Sequence, residues 1–203
     1  MLILCSNGLS SDNLLNEFSK YASGLSEAAL VVTADNEYKE NNYHVERCKA
    51  ELMKAGLKTE IIDIDKDSPE VLLRYDVVEF IGGNPYYLLD AIRREKALNV
   101  LTDIAENKIL IGWSAAAFVF GPTLELINIY SPELNFLGLT DLTALGLTDT
   151  EVLPHYGKFI NRFERFEERC AEYEQSKGIN IVRLNDGDGI FITMSGKKQL
   201  IKA

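Results

Sequence analysis

Ile109-Leu110-Ile111-Gly112-Trp113-Ser114-Ala115-Ala116-Ala117 is an apolar run that ends in a glycine, one large residue, a serine and three alanines. The pattern predicts a strand that turns abruptly into a helix, with Ser114 at the turn. Small residues are needed around such a turn because the strand, turn and helix backbones crowd together. The turn holds a hydroxyl at the carboxyl edge of a sheet, and the first N–H groups of the helix face any oxyanion formed beside it. Gly112 and Ala116 occupy the two glycine places of G-x-S-x-G, so the match is partial. A buried strand followed by an N-cap serine is the competing reading of the same nine residues.

Upstream, strands and helices alternate without a linker, repeat or low-complexity tract, which predicts one α/β domain over residues 1–203 with a parallel sheet covered on both faces. Strands are expected at Met1–Ser6, Ala28–Thr33, Thr59–Ile64 and Asp76–Ile81. Helices are expected at Ser11–Ala22 and Tyr43–Ala55, where apolar residues recur at steps of three and four. The fourth strand runs into Gly82-Gly83-Asn84-Pro85. Asn84 suits the N-cap and Pro85 the first position of a helix that reaches about Arg94. Pro85 has no N–H, so any donor pair offered by this turn comes from Gly83 and Asn84. A tight turn without chemistry is the plain alternative. In a doubly wound sheet, however, ligands gather at the carboxyl ends of strands where the winding reverses, and both turns lie at such ends.

Downstream, Glu151–Tyr156 reads as a short strand that delivers His155 at its end. The chain has two histidines, so the choice of a general base for Ser114 is narrow. His44 falls in the polar first turn of a helix and is expected to be solvated. His155 follows an apolar strand and a proline, where a polar ring needs a partner, and is the better base. Phe159, Phe163, Phe166, Cys170 and Tyr173 then predict one amphipathic helix from about Lys158 to Ser176, ended by Gly178. Short strands at Asn180–Leu184, Ile190–Met194 and Gln199–Ile201 form an edge meander. The Asp186-Gly187-Asp188-Gly189 stretch between them reads as a turn; a calcium loop would need a downstream glutamate that is missing.

Composition bounds the function. A net charge of -10 and a 46% hydrophobic content suit one large globular domain and argue against nucleic acid or an anionic membrane as the main partner, since either needs a clustered positive face. Cys5, Cys48 and Cys170 show no paired spacing, which points to a reducing compartment. No apolar run approaches the roughly 20 residues of a membrane span, and the start is too short for a signal peptide. The expected location is the cytoplasm.

Four motifs together carry a resemblance: Ile81-Gly82-Gly83-Asn84, Ile111-Gly112-Trp113-Ser114-Ala115-Ala116-Ala117, Gly121-Pro122-Thr123 and Leu153-Pro154-His155-Tyr156. In order and spacing they resemble the peptidase E family of serine peptidases, which includes aspartyl dipeptidases and cyanophycinases. The resemblance implies a class I glutamine amidotransferase-like fold, a three-layer α/β/α sandwich with a mostly parallel sheet and antiparallel edge strands. It implies that Ser114 matches the nucleophile and His155 its base, with oxyanion donors from Gly83, Asn84 and Ala115. Two positions depart from the family pattern: Ala116 stands where a glycine is usual, and Ile81 stands where a third glycine is usual. An extra methyl at Ala116 crowds the turn.

The implied chemistry is acyl transfer on a small peptide, without metal or organic cofactor. A carboxylate should orient His155. The family's acid follows the nucleophile by a short stretch, where this chain offers Glu125 and Glu133; Glu125, between two leucines, is preferred because a charge in an apolar setting needs a partner. Cleavage after an N-terminal aspartate would need a cation, and Arg165 and Arg169, one turn apart on the predicted helix, are the candidates. Two other classes stay open. An amidotransferase of the same fold would carry cysteine in place of Ser114, and a non-catalytic member would serve as a binding or regulatory module.

Overall fold

The computed structural model describes residues 1–203 and builds them around a seven-stranded sheet. In chain order the elements are β1 (Leu2–Cys5), α1 (Asp12–Ala22), β2 (Glu27–Val31), α2 (Val45–Lys54), β3 (Lys58–Ile62), β4 (Val77–Phe80), α3 (Pro85–Arg94), α4 (Leu98–Asn107) and β5 (Ile109–Trp113). They continue as α5 (Ala115–Phe120), α6 (Glu125–Tyr130), β6 (Val152–Leu153), α7 (Tyr156–Phe159), α8 (Phe166–Lys177), β7 (Val182–Arg183), β8 (Gly189–Ile192) and β9 (Lys198–Ile201). The strand order is β3-β2-β4-β5-β1-β8-β9. The first five strands are parallel, and β8 and β9 close one edge antiparallel. This is the predicted three-layer α/β/α arrangement.

Strand periodicity explains the layers. Along β1, Leu2 and Leu4 join the core on one face, while Ile3 and Cys5 join the core on the other, as the two-residue repeat requires. The first face is covered by α3, α4 and α5, the second by α1 and α2. Two layers of helix leave the central strands buried on both sides, hence their continuous apolar sequences. The helix that follows β1 therefore leaves toward one face and the helix that follows β5 toward the other, although the two strands are neighbours. Their carboxyl ends border the crevice where the winding reverses, the place at which such sheets bind ligands.

Three expectations need correction. The continuous helix over Lys158–Ser176 is instead α7 and α8 with a break between them, marked by a left-handed Arg165 (φ 51°). The cause is aromatic packing: Phe159, Phe163 and Phe166 each place their ring 5.2 Å from that of Tyr130. A straight helix would carry the first and last of these about 10 Å apart along its axis, too far to share one ring. The strand expected at Asn180–Leu184 shrinks to β7, which pairs with β6 outside the main sheet. The helix α4 was not anticipated, since it follows a run of charged residues and its N-cap, Ala97, makes no side-chain cap bond. No helix is long and apolar enough to cross a membrane.

Candidate active site

The elbow at Ser114 is built as a strained turn. Ser114 adopts φ 52° and ψ -113°, a conformation that L residues rarely take and that costs energy unless the surroundings enforce it. They do so from three sides. The Ser114 N–H donates to the carbonyl of Cys5 at the end of β1 (3.2 Å). A Cβ on Gly112 would lie 2.6 Å from the Phe120 ring, and one on Gly82 would lie 2.6 Å from Trp113 and 2.9 Å from Ser114 Cβ. The α5 helix behind the turn is buried along its whole length, so Ala116 sits inside the core. The Ser114 side chain makes no cap bond to this helix. Its hydroxyl is turned away, toward His155.

His155 stands at the end of β6, in the left-handed region (φ 58°). Its N–H donates to Ser6 Oγ (2.9 Å), and Ser6, the residue after β1, is buried. The ring is thereby aimed across the edge of the sheet. Ser114 Oγ donates to His155 Nε2 at 3.0 Å, and His155 Nδ1 donates to Asp186 Oδ1 at 2.6 Å. Ser6 Oγ donates to the same carboxylate oxygen (2.8 Å), and Lys158 pairs with Oδ2 (2.5 Å). Burial alone would raise the Asp186 carboxyl, but the hydrogen bonds from Lys158, Ser6 and His155 outweigh it and hold the group below its ordinary value. A charged carboxylate on Nδ1 fixes the imidazole with its lone pair on Nε2, facing the serine hydroxyl. That arrangement can take a proton from the hydroxyl and hold it.

The Asp186 carboxylate comes from the turn between β7 and β8. Gly187 N–H donates to Asn7 Oδ1 (2.9 Å), Ser11 Oγ donates to the Gly187 carbonyl (2.7 Å), and Asn185 N–H donates to Asp188 Oδ2 (2.9 Å). The turn is thus tied to the loop after β1. Gly187 has φ 92°, which only glycine adopts freely.

The second predicted turn borders the same cavity. Asn84 caps α3, its Oδ1 accepting from the N–H groups of Tyr86 (2.9 Å) and Tyr87 (3.1 Å). Gly83 has φ 156°, and a Cβ there would fall 2.1 Å from the Ala34 carbonyl oxygen. The Gly83 N–H meets no acceptor in the protein, whereas the Asn84 N–H donates to the Ala34 carbonyl (2.8 Å). Ala115 opens α5, so its N–H has no acceptor within the helix. The cavity holds about 300 Å³ and is lined by Asn7, Asn42, Tyr43, His44, Gly82, Gly83, Trp113, Ser114, His155, Lys158 and Asp186. A larger cavity of about 430 Å³ lies elsewhere, beside Leu2, Ile192 and Met194, and contains no histidine or serine.

One grouping has metal-ligand chemistry. Cys48, Glu51 and Glu79, all buried, bring ligand atoms within 4.8 Å of one another. Arg47 already pairs with Glu51 (2.6 Å). Burial, reinforced by the charge of Glu51, pushes the Glu79 carboxyl up to about 8, and burial raises the Cys48 thiol.

These features can now be set beside known proteins. The sequence model of peptidase family S51 matches residues 2–200. The chain belongs to peptidase family S51. An uncharacterized peptidase of Listeria monocytogenes is 30% identical over 168 residues, 80% of each chain. A Shigella flexneri protein named peptidase E is 25% identical over 155 residues, covering 74% of this chain and 66% of that one. The crystal structure of a Listeria monocytogenes protein assigned to peptidase E superposes with a TM-score of 0.77 at 26% identity, covering 100% of this chain and 98% of the other. A peptidase from an acI-B1 actinobacterium, 18% identical, shares the fold with a TM-score of 0.69 over 100% of this chain and 87% of its own. Family and fold agree with the resemblance drawn from the four motifs.

Within this S51 chain the predicted site residues separate into two sets. Ser114, His155, Gly83 and Ala115 come together, while the others do not. Glu125 pairs with Lys177 on α8 and makes no contact with His155; it is nearly half exposed, so the apolar neighbours in sequence did not bury it. Glu133 is exposed in a short 3-10 turn. Asn84 keeps its cap role, but its N–H is spent on Ala34. Arg165 faces Glu168 (2.5 Å) and Glu172 (3.5 Å), and neither it nor Arg169 lines the cavity, because the break before α8 turns that helix away. His44, expected in solvent, lies in the cavity wall. The residue missed outright is Asp186. Its one signal in the sequence was position: a carboxylate in a turn just before a strand that, by running antiparallel to β1, begins where β1 ends.

Proposed function

We propose that this S51 peptidase hydrolyses small peptides through an acyl-enzyme formed on Ser114, with His155 as general base and Asp186 as the carboxylate that orients it. The observation that carries the reading is the unbroken line from Asp186 Oδ1 through the His155 ring to Ser114 Oγ, at 2.6 Å and 3.0 Å, on a serine held in strain at the sheet edge. The hydroxyl attacks the peptide carbonyl as His155 takes its proton, and the imidazolium returns that proton to the leaving amine. Water then repeats the sequence on the ester. The N–H groups of Gly83 and Ala115 serve as oxyanion donors, supported by their having no other use. The reading requires no cofactor. Preference for a leading aspartate loses its support, since the two arginines offered for it stand outside the cavity.

The test is covalent labelling with a fluorophosphonate probe. Wild type should be labelled at Ser114 and should hydrolyse short peptides, and Ser114→Ala and His155→Ala should lose about three orders of magnitude or more in turnover while melting near the wild-type temperature. Undiminished hydrolysis by Ser114→Ala would refute the assignment.

A further inference from the structure

Both histidines of the chain line one cavity, yet the proposed mechanism uses only His155. His44 is half-buried at the start of α2. Its ring stacks on Tyr43 at 4.0 Å between centroids and meets the edge of Trp113 at 5.3 Å. Arg47 lies behind it, with Nη2 3.4 Å from His44 Nδ1. A guanidinium has only donors, so Nδ1 must be the acceptor and the ring proton must sit on Nε2. Burial, followed by the charges of Arg47, His155 and Lys158, lowers the affinity of His44 for a second proton. It is a neutral donor.

Asn7, in the loop after β1, offers the same chemistry. Its Oδ1 accepts from Ser10 Oγ (2.6 Å) and from Gly187 N–H (2.9 Å), which fixes the amide orientation and leaves Nδ2 as a donor pair without an acceptor in the protein. The Arg47 Nη2 that bonds His44 also donates to the Asn7 carbonyl (2.8 Å), so one guanidinium braces both residues. Charges around the cavity are already matched: Lys158 with Asp186 and Arg47 with Glu51. The wall therefore presents donors but no unpaired cation. A substrate carboxylate would have to draw Lys158 or Arg47 away from its own carboxylate partner, whereas a carboxamide oxygen asks only for neutral donors.

We propose that Asn7 Nδ2 and His44 Nε2 form a neutral donor pair that recognises a side-chain carboxamide oxygen on the substrate residue beside Ser114, so that asparagine is preferred to aspartate there. The inference rests on the peptidase reading above and assigns its specificity. It is tested by measuring kcat/KM on matched dipeptides with Asn, Asp or Leu in the leading place and then in the second place. In one of the two places wild type should prefer Asn over both others by about tenfold or more, the scale of one well-made buried hydrogen bond with its partner. His44→Phe keeps the ring contacts with Tyr43 and Trp113 but deletes the donor, and should collapse the Asn-over-Leu preference through KM. His44→Gln, which keeps an N–H, should restore most of it. Should His44→Phe fail to fold, Asn7→Asp supplies the same test, since it retains the acceptor for Ser10 and Gly187 and replaces the donor.

Equal or better cleavage of the aspartyl peptides, or a preference that survives both substitutions, would overturn the inference. So would an enzyme labelled at Ser114 that cleaves none of the asparagine peptides; in that case the peptidase reading stands alone. Absence of both labelling and hydrolysis in wild type would remove the two together.

Discussion

Replacing Asp186 with asparagine tests the site at the residue that sequence reasoning missed, and the structure allows the size of the effect to be worked out. Asn is isosteric, so its amide has two orientations. With the amide oxygen in the Oδ1 place, the bonds from His155 Nδ1 and Ser6 Oγ survive and the NH2 group faces Lys158. With the amide reversed, NH2 faces Nδ1 and drives the ring proton to Nε2, where it opposes the Ser114 hydroxyl. The first orientation should win, because Lys158 is 71% exposed and can swing into water, while Ser6 is buried and held by His155 N–H. The tautomer is then preserved, and only the charge that stabilises the imidazolium is lost. Hydrogen bonds to a charged partner contribute roughly 1.5–3 kcal/mol against about 1 for neutral ones, a difference of about 0.5–2 kcal/mol, so kcat/KM should fall by roughly two- to thirtyfold. A wrong tautomer would cost about 10⁴-fold, as in serine proteases where the amide reverses. The assay is steady-state hydrolysis of a short peptide, with the fluorophosphonate labelling rate as a second reading. An unchanged kcat/KM together with an unchanged labelling rate, with no sign of the lost charged bond, would refute the assignment of Asp186. Stability offers a separate check. The folded state holds the Asp186 carboxyl below its ordinary value, so its contribution is present above the unfolded value near pH 4 and is lost as pH falls through the folded one. The asparagine variant should flatten the acid limb of the melting curve in that window.

Other outcomes follow from the same structure. Glu125→Gln should leave turnover within about twofold, because the residue only forms a surface pair with Lys177; a large loss would return the acid to Glu125. Gly83→Ala should lower both the melting temperature and turnover, since its Cβ would meet the Ala34 carbonyl oxygen at 2.1 Å and the turn must move; wild-type behaviour in a thermal melt and a peptide assay would show the close approach to be unimportant. Glu79→Gln should raise the melting temperature at pH 7–8. The folded carboxyl stays protonated up to about 8 while the unfolded one ionises near 4.3, so stability falls with rising pH between those values. The glutamine amide carries no such penalty and can donate to Glu51 Oε2, which otherwise has no partner. A melting curve with the same pH slope as wild type would contradict this account.

What could be read from the sequence was local, and the physical reason is that short-range rules decide it. Strand periodicity, the Asn84-Pro85 cap and the crowding of small residues around Ser114 are set by residues a few places apart, and they sufficed for the layers, the elbow and the position of His155. Distance along the chain limited the rest. Asp186 lies 31 residues from His155 and reads as part of an ordinary turn; only the antiparallel placement of β8 beside β1 brings it to the edge where Ser6 and His155 wait. Glu125 satisfied the local argument, a charge among leucines, but the fold satisfied that charge with Lys177. The arginines shared a predicted helix face that does not exist, because three phenylalanines gathering on Tyr130 broke the helix first. His44 looked solvated in a polar helical turn and became part of the cavity wall when Arg47, Trp113 and Tyr43 closed around it. Periodicity and caps belong to the segment, whereas the partner of a charge or a ring is chosen by the packing of segments far apart in the chain.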